Sequence, residues 1–182
     1  MSNKLCVVFP GRRYSCDRSL LYYPSCYFSR LGYQMVFLHY DAHREKQDML
    51  PLKENFLLAY KESKLILNQI DFSKYEKVIF LSKSLGTIIA GQYASEKNIP
   101  NLTQVFFTPV DKTLPYINKE DLIFAAEKDS YMEDTSLKLA SFPHAHILPI
   151  QAHSLEDKED ELHSLKILEA IITTIQDFFQ KK

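Results

Sequence analysis

A serine lies between an apolar run and a helical pattern near the middle of this 182-residue chain. The run at 78–81 (VIFL) is followed by SKSLG at 82–86, and a helix is predicted from Leu85 to about Lys97. A strand, a tight turn with serine at its apex and a helix together expose a hydroxyl for nucleophilic attack. Small residues are needed two positions before and after that serine, and Ser82 and Gly86 hold those positions. Ser84 is therefore a candidate nucleophile, and the alternative is a helix N-cap.

A carboxylate and a histidine follow the serine along the chain. This is the order of a Ser-acid-His triad whose serine lies on a strand-turn-helix elbow. Asp129 comes three residues after the apolar run 122–126, and His153 comes three residues after the run 146–150. An imidazole in this position would accept the serine proton, and the carboxylate would fix its tautomer. Glu127 and Asp111 also follow apolar runs, so the triad acid is left open among three residues.

Backbone N–H groups near the serine would have to hold the oxyanion that forms during acyl transfer. Leu85 follows the serine at the start of a helix, where the N–H groups and the helix dipole both favour negative charge. Gly11 and Arg12 follow the first apolar run, 5–9, in the place from which the second donor normally comes. These three residues are the predicted oxyanion hole, with a plain turn as the alternative for Gly11.

The loop after the first run is also predicted to form the rim of the pocket. Arg12, Arg13 and Tyr14 lie there, and the Tyr22-Tyr23 segment follows. We expect Arg13 and Tyr14 to contact substrate, since a guanidinium matches a carboxylate or a phosphate. A solvated loop is the alternative.

The elements that must position these residues alternate along the chain. Apolar runs at 5–9, 35–39, 78–81, 105–107, 122–126 and 146–150 predict six strands, and helices are predicted at 20–30, from Pro51, from Leu85 and from Glu161. Continuous apolarity indicates strands that are covered on both faces. The sequence therefore predicts a three-layer α/β/α sandwich with a mainly parallel six-stranded sheet, whose ligand site lies at the carboxyl ends of the strands.

Composition excludes several classes of protein. We expect a single domain over 1–182, because the length and the 46% hydrophobic content are those of one globular domain. With 22 Lys and Arg against 23 Asp and Glu, no nucleic-acid or membrane partner is predicted. No cofactor and no metal is expected: the His144 and His146 pair lacks further ligands. The chain has three cysteines without C-x-x-C spacing and no long apolar segment, which together predict a cytoplasmic protein. The sequence leaves the oligomeric state open.

Taken together, these segments resemble the α/β-hydrolase superfamily, in particular its small, lidless bacterial members. VVFPGRRYS is similar to the first strand and oxyanion loop, FLSKSLGT to the nucleophile elbow, LIFAAEKDSYM to the strand with the acid, and AHSLE to the histidine loop. The resemblance covers nearly the whole chain. It implies a minimal α/β-hydrolase fold with Ser84 as nucleophile, His153 as base and Asp129 as its orienting acid.

The predicted function is that of a carboxylesterase-like serine hydrolase acting on a small carboxylic ester or thioester through an acyl-enzyme. Two alternatives remain at this point. One is a catalytically silent binding protein with the same fold, because a fold does not fix a function. The other is an acyltransferase that uses an acceptor other than water.

Overall fold

Six strands form one sheet in the computed structural model, which describes residues 3–40 and 50–181. All neighbouring strands are parallel, and the spatial order is β2-β1-β3-β4-β5-β6. Their bounds are β1 Lys4–Phe9, β2 Gln34–Phe37, β3 Lys77–Lys83, β4 Leu102–Phe107, β5 Leu122–Ala126 and β6 Ala145–Leu148. The predicted six-stranded parallel sheet is confirmed.

Five α-helices connect or flank the strands within the described ranges. They are α1 Ser19–Arg30, α2 Leu52–Leu67, α3 Leu85–Lys97, α4 Thr135–Leu139 and α5 Glu161–Gln180. Two 3₁₀ helices lie at Phe72–Lys74 and Asp111–Tyr116. No helix in the described part of the chain has the length and apolarity needed to cross a membrane.

The sheet is covered on both faces, and β1 shows how its sequence achieves this. Cys6 and Val8 share one buried cluster with residues of α1 and α5. Leu5, Val7 and Phe9 point to the opposite face, in a cluster with residues of α2 and α3. Because successive side chains of a strand alternate between faces, a strand buried on both sides must be apolar throughout. The three layers are therefore those that the sequence predicted.

The order of the strands determines where a site can form. From β1 the chain crosses first to β2 on one side and then to β3 on the other. The helices after β1 and β3 pack on opposite faces of the sheet. A crevice therefore lies beyond the carboxyl ends of these two neighbouring strands, where ligands bind in open α/β sheets. The loops that follow β1, β3, β4, β5 and β6 all begin at this edge of the sheet.

Strand β6 ends earlier than the sequence indicated. Its pairing with β5 covers Ala145–Leu148, whereas the apolar run extends to Ile150. The Ile150 N–H donates to the Leu148 carbonyl oxygen at 2.7 Å, so a tight turn ends the strand. This turn directs the following loop, with His153, over the sheet edge.

Candidate active site

Ser84 occupies a strained turn between β3 and α3. Its backbone has φ 52° and ψ −116°, a conformation that residues with a side chain rarely adopt. The side chain makes no capping bond to α3, although the Ser84 carbonyl oxygen accepts from the Thr87 N–H at 2.9 Å. An N-cap has extended backbone angles and a side chain turned to the helix, so the N-cap alternative does not describe this serine.

The residues on either side of Ser84 fit this turn. Ser82 is fully buried, and its hydroxyl donates to the Val105 carbonyl oxygen at 3.2 Å. The hydroxymethyl group that stands in place of the usual glycine is thus accommodated with its hydrogen bond satisfied. A Cβ at Gly86 would lie 2.5 Å from the carbonyl oxygens of both Phe9 and Pro10. Glycine is required there because α3 approaches the end of β1 in contact with its backbone.

Three polar side chains from different strand ends form a continuous hydrogen-bonded chain. Ser84 Oγ lies 2.7 Å from His153 Nε2. On the other side of the ring, His153 Nδ1 lies 2.7 Å from Asp129 Oδ2 and 2.9 Å from Oδ1. The structure brings together the predicted nucleophile, base and acid in the arrangement that a triad requires.

Of the three acids that the sequence left open, Asp129 contacts the histidine. Its side chain is 1% exposed, and its Oδ1 also accepts from the Tyr131 N–H at 2.8 Å. Asp111 instead accepts from Lys138 Nζ at 2.7 Å, with half of its side chain exposed. Glu127 is exposed to solvent. A carboxylate that is buried and fixed by a backbone N–H can hold the imidazole in one orientation.

The environment of His153 favours its neutral form. Its side chain is 19% exposed, and this burial lowers the pKa of the imidazole below its ordinary value. The bond to Asp129 acts against this shift, while the charge of Lys83 adds to it. The Tyr131 ring covers the imidazole, with 4.6 Å between the two ring centroids. A neutral imidazole can accept a proton at Nε2, as a general base must.

The predicted oxyanion donors need one correction. The Gly11 N–H donates to the Tyr14 carbonyl oxygen at 2.9 Å and so closes its own turn. A Cβ at Gly11 would lie 3.3 Å from Ser84 Cβ, so glycine at this position allows the turn to lie close to the serine. The N–H of Gly11 is bonded within the turn and does not point to an oxyanion. Leu85 is the first residue of α3, where an N–H has no partner within the helix. Leu85 and Arg12 are the backbone donors that we retain as candidates.

A small cleft of about 180 Å³ opens at Ser84. Arg13 lines it from an exposed position with φ 58°. Tyr14, which the sequence placed at the rim, is buried, and its hydroxyl accepts from the Leu20 N–H at 3.0 Å. The prediction that Tyr14 contacts substrate is therefore wrong, because its ring turns inward. The cleft is lined by Arg12, Arg13, Ser84, Leu85, Ile88, Val110, Tyr131 and His153, a set without the predicted rim residues Tyr22 and Tyr23.

Sequence reasoning missed two residues at this site. Tyr131 lines the cleft and covers His153. Lys83 is 2% exposed, and its Nζ donates to the Thr108 hydroxyl and to the His153 carbonyl oxygen, the latter at 2.9 Å. The one signal for Lys83 in the sequence is its place two residues after the apolar run 78–81 and directly before the candidate nucleophile.

Comparisons with known proteins agree on the fold. The sequence matches no family model and no curated protein. Among solved structures, it is similar to an alpha-beta serine hydrolase homologue from Coxiella burnetii, with a TM-score of 0.65, 12% identity, and coverage of 94% of this chain and 85% of that one. Mouse alpha/beta hydrolase domain-containing protein 10 gives a TM-score of 0.64 at 12% identity, covering 97% and 89%. An esterase from Pyrococcus furiosus gives 0.57 at 12%, covering 97% and 83%.

Identities this low show the fold alone. The predicted minimal α/β-hydrolase fold is confirmed, because the chain shares its fold with these neighbours. Substrate and residue roles do not follow from the comparisons, so they belong to the proposal below.

Proposed function

We propose that this protein is a serine hydrolase that cleaves a small carboxylic ester or thioester through an acyl-enzyme intermediate. The observation that carries the proposal is the hydrogen-bonded chain from Ser84 Oγ through His153 to Asp129, with both contacts to the imidazole at 2.7 Å. Its support is that three strand ends converge on one rim of a fold shared with hydrolases and esterases.

In the acylation step, Ser84 Oγ attacks the carbonyl carbon while His153 Nε2 takes the hydroxyl proton. The carbonyl electron pair moves to oxygen, and the Leu85 and Arg12 N–H groups donate to that oxyanion. Asp129 holds the Nδ1–H and stabilises the imidazolium. When the intermediate collapses, the bond to the alcohol or thiol breaks, His153 returns the proton to the leaving group, and the acyl group stays on Ser84.

In the deacylation step, the same groups act on water. His153 removes a proton from a water molecule, whose oxygen attacks the acyl carbon. The tetrahedral intermediate again places its negative charge at the two N–H groups. Its collapse breaks the bond to Ser84 Oγ, which recovers the proton from His153, and a carboxylic acid is released.

The cleft favours a short acyl chain. The volume of the cleft is about 180 Å³, and its lining includes the apolar side chains of Leu85, Ile88 and Val110. A few methylene groups of an acyl chain would be buried against them. Arg13 lies on the same cleft and can offer a guanidinium to a negative group of the substrate. We therefore expect the preferred substrates to be short esters or thioesters, and among these the ones that carry an acidic group.

A panel of p-nitrophenyl esters of increasing acyl length tests this function. We expect turnover of the shortest members, a decline with chain length, and loss of turnover in Ser84→Ala. Equal rates for the wild type and Ser84→Ala would overturn the proposal. A folded wild type that turns over none of the esters would favour a silent binding protein, and ester products formed with added alcohols would indicate acyl transfer.

The predicted cytoplasmic location is part of this proposal. Cys6, Cys16 and Cys26 are all unpaired, as expected in a reducing compartment. Burial raises the pKa of Cys16 to about 12, so this thiol is protected from oxidation as well.

A further inference from the structure

Lys83 is a buried lysine that the triad mechanism does not use. It ends β3, directly before Ser84, and only 2% of its surface is exposed. Its Nζ donates to the Thr108 hydroxyl and, at 2.9 Å, to the His153 carbonyl oxygen, and it lies 5.3 Å from the centre of the Tyr14 ring. A buried cation is stable only with partners, and hydrogen-bond acceptors and an aromatic face supply them here.

These contacts join three separate parts of the fold. Thr108 follows β4, and its N–H donates to the Phe124 carbonyl oxygen at 2.7 Å. His153 stands in the loop after β6. The ammonium group therefore ties the loop that carries the base to the strand that carries the nucleophile. The residue before the serine and the backbone of the base are linked by one side chain.

The position of Lys83 also affects the charge of the imidazole. Its positive charge lowers the pKa of His153, in the same direction as burial of the ring. Burial lowers the pKa of Lys83 itself to about 7, opposed by the negative charges of Asp129 and Glu156. The other titratable or charged groups that face this pair are Tyr14 beside Lys83, Tyr131 on the imidazole, and Arg12 and Arg13 across the cleft.

We propose that Lys83 is a positioning residue for the hydrolysis, which holds the His153 loop against Ser84 through its bonds to Thr108 and to the His153 carbonyl oxygen. From this position its charge also favours the neutral form of the imidazole. This inference rests on the proposed function. It assigns Lys83 no contact with substrate, because Lys83 is absent from the lining of the described cleft. Removal of the Lys83 ammonium group should then lower kcat and leave KM nearly unchanged.

The test compares Lys83→Met, Lys83→Gln and Lys83→Arg with the wild type. Methionine keeps the buried stem without charge or donors, glutamine keeps a donor without charge, and arginine keeps both. Asp121→Asn is the matched control, because Asp121 is a buried carboxylate that accepts from the Gln104 and Asn118 N–H groups at the opposite edge of the sheet. We expect that variant to lower the free energy of unfolding without changing the site, because it weakens these buried hydrogen bonds.

We expect Lys83→Met to lower kcat about tenfold or more through misplacement of the base, with KM little changed. The acid limb of its kcat/KM profile should move to higher pH, and the pKa of His153 followed by NMR should rise. Lys83→Gln should show the same rise with a smaller loss of kcat, whereas Lys83→Arg and Asp121→Asn should keep the wild-type pKa of His153.

Two outcomes overturn the inference. One is an unchanged His153 pKa in folded Lys83→Met and Lys83→Gln. The other is failure of both neutral variants to fold, which would give Lys83 a purely structural role. The NMR titration does not depend on turnover. If the wild type hydrolyses no ester while Lys83→Met still raises the His153 pKa, the proposed function fails and the electrostatic role of Lys83 stands.

Discussion

Asp129 and His153 come from the ends of different strands, yet Oδ2 of the carboxylate lies 2.7 Å from Nδ1 of the ring. The carboxylate is buried beneath the imidazole, and the Tyr131 N–H fixes its second oxygen. This contact leaves Nε2, the opposite nitrogen, directed at Ser84. The pair therefore determines which nitrogen of the histidine can act as a base.

Replacement of this carboxylate by an amide tests that role. Asp129→Asn keeps the shape of the side chain but can present N–H to Nδ1, which favours the wrong tautomer of His153. We expect kcat to fall by about 10⁴-fold, the effect of this change in a serine protease triad. Ester turnover measures it. Asp111→Asn and Glu127→Gln are the matched controls, since neither side chain contacts the histidine, and a comparable loss in either would contradict the assignment.

The pH dependence of the rate follows from the neutral state of His153. Burial lowers the pKa of the ring from its ordinary value of 6.5, and a base acts only when unprotonated. Activity should therefore be full above that pKa and fall as the pH decreases through it, with an acid limb below pH 6.5. A kcat/KM profile on an ester without ionisable groups measures the limb.

Tyr131→Ala provides the companion experiment. The ring that covers His153 would be lost, water would reach the imidazole, and the acid limb should move to higher pH because less desolvation opposes the charged form. A limb that stays in place in this variant would show that the cover of Tyr131 does not influence the base.

The close approach of α3 to the end of β1 predicts the effect of a methyl group at Gly86. With backbone oxygens 2.5 Å from the new Cβ, Gly86→Ala must move the elbow, at a cost of about 1–3 kcal/mol in the free energy of unfolding and with loss of ester turnover. Urea unfolding and rates measure both. Gly32→Ala is the control: it has φ 81° and open space, so it should cost stability without moving the site. Wild-type stability and rate in Gly86→Ala would contradict the geometry.

Arg13 is predicted to select charge on the substrate. Arg13→Gln should lower kcat/KM for an ester that carries a carboxylate, while a neutral ester of the same length should react as with the wild type. Equal effects on the two esters would indicate that Arg13 contributes to the cleft without recognising an anion.

The sequence was informative where local pattern and chain order decide the structure. Apolar runs with turn residues at their ends predict the strands, and the loop after each parallel strand must emerge at one edge of the sheet. That rule alone places Ser84, Asp129 and His153 on a common rim. It also explains why Asp111 was an open alternative, since its loop reaches the same edge and only packing turns it to Lys138.

Other features depend on side-chain directions that no local pattern contains. Tyr14 is one position from Arg13, yet one is buried and the other lies in the cleft, because the turn closed by the Gly11 N–H separates them. Lys83 is charged and would be placed on the surface by its residue type. Its burial depends on Thr108 and the His153 carbonyl oxygen, which follow it in the chain by 25 and 70 positions.

The central claim is that Ser84 is a nucleophile activated by His153, and labelling with a fluorophosphonate probe tests it most directly. The account predicts one covalent adduct on the wild type, located at Ser84 by peptide mass spectrometry. It also predicts none on Ser84→Ala and strongly slowed labelling of His153→Gln. An adduct at another residue, or equal labelling of the wild type and Ser84→Ala, would contradict it.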